Sequence, residues 1–163
     1  MDNIIYIDEY KGRKQMINIF ELADTFLSFD IMTHKKLQKL CYYAYSWYMV
    51  LNGRENRLIN NRFEAWQHGP VCRELYDKYR YYGKRPICSN EGIPFKVKED
   101  YKLFEFLREV YEIYGGYDED ELEKLTHEEY PWLNARGDLP ESARCSHTIS
   151  DDDIYEYYCN IED

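Results

Sequence analysis

Apolar residues recur at three- and four-residue intervals along much of the chain, which is the period of helices with one buried face. Residues 17–29 carry such a stripe, made of Ile19, Leu22, Ala23 and Phe26. In residues 33–51 apolar and aromatic side chains cover nearly every face, with Thr33 as the predicted N-cap and Gly53 near the predicted stop. We therefore expect the 33–51 helix to be the centre of the fold.

The same periodicity predicts shorter helices in the second half of the chain. One spans about residues 99–114, one is an acidic helix within 118–126, and a last helix follows Ser150. A short turn is expected to begin at Pro131, and residues 84–98 are expected to form a loop. The predicted capping pairs are Asp118 with Glu121 and Ser150 with Asp153.

Extended structure is predicted in two places. Residues 63–66 read as a short strand that ends in a sharp Gly69-Pro70 corner. A helix is then expected from Pro70 to Gly83, because proline suits a first helical turn and glycine can end a helix. Residues 54–66, with apolar positions on both sides of the polar residues 60–62, predict a small hairpin or an extended crossover, and residues 4–7 could form a further strand.

These elements predict a mainly α fold with a minor strand component, that is, α+β with helices dominant. We expect one compact helical domain over residues 1–163, with a core of about 17–160 built round the central helix. The small β-hairpin or strand element is expected near residues 56–67. A chain of 163 residues can bury a core of this kind without disulfides or a metal.

The formal net charge of −10 is unevenly distributed. Residues 33–85 hold eleven Lys and Arg against four acids, whereas residues 118–163 hold three against fifteen. The acidic C-terminal third disfavours a nucleic-acid partner. Five cysteines without a Cys-x-x-Cys pair favour reduced thiols, and the chain has no basic leader or long apolar run, so we expect a cytoplasmic protein without a membrane span.

Reactive chemistry has little support in the sequence. His68 and Cys72 are four residues apart, but Gly69 and Pro70 break any helix that would align them as metal ligands or as nucleophile and base. No phosphate-binding glycine loop or hydrolase elbow is present. We expect no catalytic residue, no metal and no cofactor. An enzyme would require a cleft in which His68 or His127 meets a nucleophile or a metal.

Three separated blocks of the sequence resemble the Panacea antitoxin domain, a family that includes SocA-like antitoxins and phage-associated GepA-like proteins. The blocks are residues 36–44 (KLQKLCYYA), residues 63–83 (FEAWQHGPV to Gly83) and residues 125–136 (LTHE, then PWLNAR). The resemblance implies a protein that binds a cognate toxin directly and blocks it without chemistry. Two alternatives stay open: an adaptor that presents a toxin to a protease, and a phage or mobile-element accessory protein that binds a host protein.

The resemblance also implies a structural core of motif residues. These are Leu37, Leu40, Tyr43, Trp66, His68, Gly69, Pro70, Tyr79, His127, Pro131, Trp132 and Arg136. If Glu64, His68, His127 and Arg136 converge, they are expected to form a buried network of ion pairs and hydrogen bonds, because lone buried charges are costly. The alternative is a small pocket lined by Trp66 and Trp132.

Arginine and tyrosine interleave between residues 73 and 85, a mixture found at protein interfaces and at nucleic-acid stacking sites. The overall acidity favours a protein partner. The acidic segments have two compatible interpretations, as solvated helix N-termini or as a docking surface for a basic partner. The predicted partner contacts are Arg73, Tyr76, Arg80, Lys84, Glu119 and Glu123.

Overall fold

The computed structural model describes residues 16–161, and in this range the chain forms eight α-helices, one 3-10 turn and one two-stranded antiparallel sheet. The elements are α1 (Ile19–Phe29), α2 (His34–Asn52), β1 (Glu64–Trp66), β2 (Gly69–Val71), α3 (Arg73–Tyr79), the 3-10 turn (Arg80–Tyr82), α4 (Phe95–Lys98), α5 (Tyr101–Tyr114), α6 (Glu119–His127), α7 (Tyr130–Arg136) and α8 (Asp151–Cys159). The predicted mainly α class is confirmed. The strand predicted at residues 4–7 lies outside the described residues.

Helix α2 is the centre of the fold, as its pattern predicts. Every side chain from Leu37 to Met49 is buried, and α1, β2, α3, α5, α6 and α8 all pack against this helix. Its start is fixed by Thr33, whose hydroxyl accepts a hydrogen bond from the Lys36 amide, and its end by Gly53 at a φ of +104°. The burial of all faces follows from apolar and aromatic residues placed all round the helix.

The predicted helix caps form. The Asp118 carboxylate accepts from the Glu121 amide while the Glu121 side chain accepts from the Asp118 amide, and the Ser150 hydroxyl accepts from the Asp153 amide. A further box at the start of α1 pairs Asn18 with Glu21. Each box satisfies amides that the first helical turn cannot pair.

The strand region differs from the prediction. The hairpin pairs β1 with β2, with its turn at Gln67-His68, so Pro70 lies in a strand and the helix begins at Arg73. Pro70 has no backbone N–H to donate, and it is tolerated in β2 because the backbone groups of its strand partner, Ala65, form hydrogen bonds with other residues. The Ala65 amide donates to the His147 carbonyl, and its carbonyl accepts from Arg136.

Two other predictions are corrected or resolved. A small hairpin or an extended crossover is expected over residues 54–66. Residues 54–63 cross over in irregular form, and residues 64–66 are β1, the first strand of the hairpin that continues to Val71. The loop expected over residues 84–98 contains the short helix α4, which starts directly after Pro94. A one-turn helix offers too few residues for a periodic signal, so the pattern could not separate it from a loop.

The core is rich in tyrosine and contains the buried acidic side chains of Glu129 and Asp151. Tyr43 stacks on Tyr114 with ring centroids 4.0 Å apart, and the hydroxyls of Tyr43 and Tyr158 donate to Glu129 Oε1 at 3.0 and 2.6 Å. Burial raises the pKa of Glu129 to about 7. Helix α8 is therefore tied into the core by Tyr158, and at its start Asp151 accepts from the Tyr45 hydroxyl at 2.6 Å.

No helix among residues 16–161 has the length and apolar content needed to cross a membrane.

Candidate functional site

The second and third motif blocks meet where the hairpin packs against α6 and α7. Trp132 Nε1 donates to the Trp66 carbonyl at 2.9 Å, and Arg136 Nη1 donates to the Ala65 carbonyl at 2.9 Å. Trp132 is buried. Both hydrogen bonds are accepted by backbone carbonyls of β1. They therefore fix the orientation of α7 relative to β1, although the two elements are far apart in the sequence. We call this region the motif junction, meaning β1, β2 and the packed faces of α6 and α7.

Arg136 is buried and is satisfied by backbone carbonyls. Its Nη2 donates to the carbonyls of Pro140, Glu141 and Ala143 at 2.9, 3.2 and 2.6 Å, and the guanidinium lies 4.9 Å from the centre of the Trp132 ring. A guanidinium can bind several carbonyls at once because its donors are fixed in one plane. Arg136 therefore ties the irregular segment after α7 to the sheet.

The predicted network of Glu64, His68, His127 and Arg136 does not form as one unit. Glu64 accepts from Arg73 at 2.9 Å and from Trp66 Nε1 at 2.7 Å, on the α3 side of the hairpin. Arg136 binds carbonyls, as described above. The cost of burying the guanidinium is met by neutral acceptors, which sequence patterns do not identify.

His68 is placed differently from the prediction. It lies at the hairpin turn with its side chain 63% exposed, rather than in the buried heart of the motif, and its Nδ1 is 3.1 Å from Glu123 Oε2. Lys35 forms an ion pair with the same Glu123 carboxylate. These contacts lower the pKa of Glu123 against the opposing effect of its partial burial.

His127 belongs to the packed part of the junction. Its ring stacks on Trp132 with centroids 3.9 Å apart, and its Nδ1 is 3.0 Å from Glu141 Oε2. Burial lowers the pKa of His127. An open surface depression beside it is lined by Asp120, Glu123, Lys124, His127, Glu128 and Glu141. Neither Trp66 nor Trp132 lines this depression.

Sequence reasoning missed a buried lysine beneath the hairpin. Lys39 on α2 is 1% exposed. The end of its side chain lies against Gly69, where a Cβ atom would be 2.5 Å from Lys39 Cε and 3.0 Å from Nζ. Burial lowers the pKa of Lys39 to about 7. The one available signal was a lysine in the middle of a helix whose other faces are apolar.

Of the twelve motif residues, the structure places nine in the interior and three nearer the surface. The interior residues are Leu37, Leu40, Tyr43, Gly69, Pro70, Tyr79, Pro131, Trp132 and Arg136. Trp66 and His127 are half-buried, and His68 is exposed.

The His68 and Cys72 pair is not arranged for metal binding or nucleophilic attack. Cys72 is buried, exchanges two hydrogen bonds with the Gln38 amide group through its backbone, and donates its thiol to Glu74. Burial raises the pKa of the Cys72 thiol to about 12. Within residues 16–161, no group of three or more His, Cys, Asp and Glu side chains is placed to hold a metal ion.

A second surface feature lies after the hairpin. We call it the basic ridge: Lys78, Arg80, Tyr81, Tyr82, Lys84 and Arg85, on the end of α3, the 3-10 turn and the residues that follow. The Arg80 guanidinium lies 5.2 Å from the centre of the Tyr81 ring, and that of Arg85 lies 5.4 Å from the Tyr82 ring. Tyr79, just inside the ridge, is buried and anchors it.

The six predicted partner contacts fall into two groups. Arg80 and Lys84 are exposed on the ridge, while Arg73, also exposed, is paired with Glu64. Tyr76, Glu119 and Glu123 are half-buried. Tyr76 packs edge-on against Trp66, and Glu119 accepts a hydrogen bond from the Thr33 hydroxyl, so these side chains hold elements of the domain together.

The model of one protein family, described as antitoxin SocA-like, Panacea domain, matches residues 37–133, which is more than half of the chain. The chain belongs to this family. The Panacea match begins in α2 and ends in α7, so it includes the hairpin and all but the last residues of the motif junction. Arg136 and the whole of α8 lie beyond it.

Among curated proteins, this Panacea chain is similar to Antitoxin SocA of Caulobacter vibrioides (strain NA1000 / CB15N). The two are 30% identical over 116 residues, which cover 65% of this chain and 61% of the relative. The chain therefore spans less than two thirds of the length of that relative. No solved structure matches.

Proposed function

We propose that this protein is an antitoxin-like protein that neutralises a cognate toxin by direct protein–protein binding and without catalysis. The observation that carries the proposal is membership of the SocA-like Panacea family over residues 37–133. The similarity to a protein named Antitoxin SocA supports the same function. The toxin is expected to be a protein that is harmful when this chain is absent.

The motif side chains make contacts within the domain, and this supports binding of the partner protein through the outer surface. Trp132 and Arg136 direct their donors to backbone carbonyls of the hairpin, and His127 is stacked on Trp132. Side chains employed in this way make the domain rigid, and a rigid surface loses less entropy when a partner binds. Binding is thus the task that this arrangement suits best.

The state of the candidate reactive groups supports a function without catalysis. The Cys72 thiol has a pKa of about 12 and donates to Glu74, so the thiolate that a nucleophile requires is scarce at neutral pH. His68 sits at an exposed turn beside Glu123. A general base needs a substrate-binding cleft as well as a histidine.

The test is co-expression with the product of the adjacent open reading frame. That product alone should arrest growth, co-expression should restore it, and the two proteins should copurify. In a reconstituted assay of toxin activity, inhibition should reach its limit at a fixed molar ratio, because binding consumes the antitoxin. Inhibition of many toxin molecules by one molecule of this protein, or independent purification without mutual affinity, would contradict the proposal.

A matched pair of variants separates binding from catalysis. His68→Ala and Cys72→Ala remove the two most plausible reactive groups, and each should still neutralise the toxin if circular dichroism shows it to be folded. Loss of neutralisation by a folded His68→Ala protein that still binds the toxin would indicate chemistry at this residue.

A further inference from the structure

We infer that the basic ridge is the surface that binds the protein partner, and that the partner presents an acidic segment to it. The inference rests on the proposed function, because it assigns the surface and the chemistry of the same binding event. It does not extend to Glu119 and Glu123, whose carboxylates are engaged within the domain.

Within the described part of the chain, the basic side chains of the ridge have no ion-pair partner, although Asp24 is near enough to Lys78 for the lysine charge to oppose the rise in the pKa of that carboxyl group. Within residues 16–161, no carboxylate lies within 4.0 Å of the side-chain nitrogens of Lys78, Arg80, Lys84 or Arg85, whereas six other basic residues have such partners. Those six are Lys35, Arg54, Arg57, Arg62, Arg73 and Arg108. Unpaired cations grouped in a protein of net charge −10 point to a partner that supplies the missing acids.

The grouping distinguishes the ridge from the other basic segment. Residues 78–85 contain four basic residues, three tyrosines and no acid. Residues 96–102 contain three lysines, but Glu99 and Asp100 lie between them. The positive potential is therefore concentrated over the ridge and diluted over α4 and the start of α5.

The ridge is also held in shape before any partner arrives. Arg85 Nη2 donates to the Tyr81 carbonyl at 2.8 Å, and its Nε donates to the Tyr82 carbonyl at 3.1 Å. Tyr82 packs edge-on against the buried Tyr79 ring at 5.9 Å. Prior ordering of long side chains reduces the entropy lost on binding.

Tyr81 supplies the apolar centre of this surface. It is 76% exposed between Arg80 and Arg85, and tyrosine and arginine are the residue types that most often dominate interface energies. The occupant with matching chemistry is a protein segment with Asp or Glu side chains around an apolar residue that covers the Tyr81 ring.

Charge distribution favours an acidic protein segment over nucleic acid. A nucleic acid carries its charge along its whole length, and residues 118–163 of this protein hold fifteen acids against three bases, which repel it. A short acidic segment places its carboxylates only on the ridge. The guanidiniums of Arg80 and Arg85 also cover one face of the Tyr81 and Tyr82 rings, which leaves less aromatic surface for base stacking.

The test compares two triple variants with equal changes in charge. The ridge variant is R80E/K84E/R85E, and the control is K96E/K98E/K124E, whose three lysines are exposed elsewhere. The probe is a fluorescein-labelled peptide of Asp and Glu with one central Phe, and binding is followed by fluorescence anisotropy at low and high salt. We expect salt-sensitive binding that weakens about tenfold or more in the ridge variant and far less in the control.

Two further variants keep the test independent of folding. Arg85 also holds the turn, so the R80A/K84A variant keeps Arg85. Tyr81→Ala removes an exposed ring together with its contact to the neighbouring Arg80 guanidinium. Both should weaken peptide binding while the thermal unfolding midpoint stays unchanged. Equal loss in the ridge and control variants, no peptide binding to the wild-type protein, or tighter ridge-dependent binding of a single-stranded oligouridine would overturn the inference.

The outcome separates this inference from the proposed function. If the adjacent gene product binds the wild-type protein and R80E/K84E/R85E equally well, the ridge is not the interface and the antitoxin proposal stands. If no toxin binds the wild-type protein but peptide binding depends on the ridge, the antitoxin proposal fails and the assignment of the surface stands.

Discussion

The side chain of Lys39 occupies the space beside the Cα atom of Gly69. A Cβ atom at position 69 would lie 2.5 Å from Lys39 Cε, 3.0 Å from Lys39 Nζ and 3.2 Å from the Thr126 hydroxyl oxygen. The φ of Gly69 is +115°, a conformation that side chains with a Cβ rarely adopt. The hairpin can approach α2 and α6 this closely only because residue 69 is glycine.

Gly69→Ala is expected to lower the free energy of unfolding by about 3 kcal/mol, because backbone strain and a steric clash act together. Gly137→Ala is the matched control. Gly137 also has a positive φ, of +62°, but a Cβ there would meet no atom within 4 Å, so only the backbone strain, about 1 to 2 kcal/mol, is expected. Urea denaturation measures both, and equal losses would mean that the Lys39 contact does not matter.

Lys39→Met is expected to stabilise the protein at neutral and lower pH. The folded protein releases the Lys39 proton at a pKa of about 7, and the unfolded chain holds it to about 10.5. The unfolded state therefore binds more protons between these values, and the stability of the wild-type protein rises with pH across the window. Methionine removes this dependence, so its advantage should be about 5 kcal/mol at pH 6 and should shrink toward pH 10.

The control for this series is Lys124→Met, which removes an exposed lysine from α6. Its stability difference from the wild-type protein should stay nearly constant over the same pH range. If Lys39→Met gives the same flat difference, the Lys39 ammonium is solvated in the folded protein.

Glu129→Gln should change the pH dependence in the opposite sense. The folded protein holds the Glu129 proton up to a pKa of about 7, while the unfolded chain releases it near 4.5. Stability contributed by this group is therefore lost as the pH rises from 4.5 to 7. The glutamine oxygen can still accept from Tyr43 and Tyr158, so the variant should be more stable than the wild-type protein by about 2 kcal/mol at pH 8 and should lose this advantage near pH 4.5.

Chemical denaturation at several pH values is the appropriate measurement for this variant. Glu128→Gln, one residue earlier and exposed, is the control and should show no such window. A wild-type protein whose stability does not fall between pH 4.5 and 7 relative to Glu129→Gln would contradict the buried state of this carboxyl group.

Arg136→Met is expected to destabilise the domain by about 3 kcal/mol. Methionine fills much of the space but leaves the buried carbonyl of Ala65 and the partly buried carbonyls of Pro140 and Ala143 without their donor. Arg136→Lys keeps the charge and one donor direction, so it should recover only part of the loss. Thermal unfolding should rank the three proteins in the order Arg, Lys, Met, and equal midpoints for Lys and Arg would argue against the multiple carbonyl contacts.

The sequence predicts the helices well where periodicity and caps agree. Thr33 and Gly53 bound the central helix, and Ser150 begins the last helix, as expected from capping chemistry. The hairpin was misplaced because Pro70 is a strong helix-start signal. What decides its state is the pairing of Ala65 with His147 and Arg136, which are more than seventy residues away in the chain.

The sequence motifs identify several residues of the candidate site but do not identify the atoms that those residues contact. Trp132 and Arg136 contact the hairpin, but their partners there are carbonyl groups, which every residue possesses and no motif can specify. Lys39 and Glu129 have clearly displaced pKa values near these motifs. The only sequence signal for their burial is the position of Lys39 in a helix whose other faces are apolar. Burial of a charged side chain depends on packing from several elements at once.

Helix α8 places Tyr158 against Glu129 and Asp151 against Tyr45, so the central helix is enclosed only after the last helix has been made. A chain emerging from the ribosome cannot complete this core until about residue 158 is outside the exit tunnel. Until then Tyr45 lacks its Asp151 acceptor and the Glu129 carboxyl group lacks one of its two tyrosine donors, so these buried polar contacts form late in the synthesis of the domain.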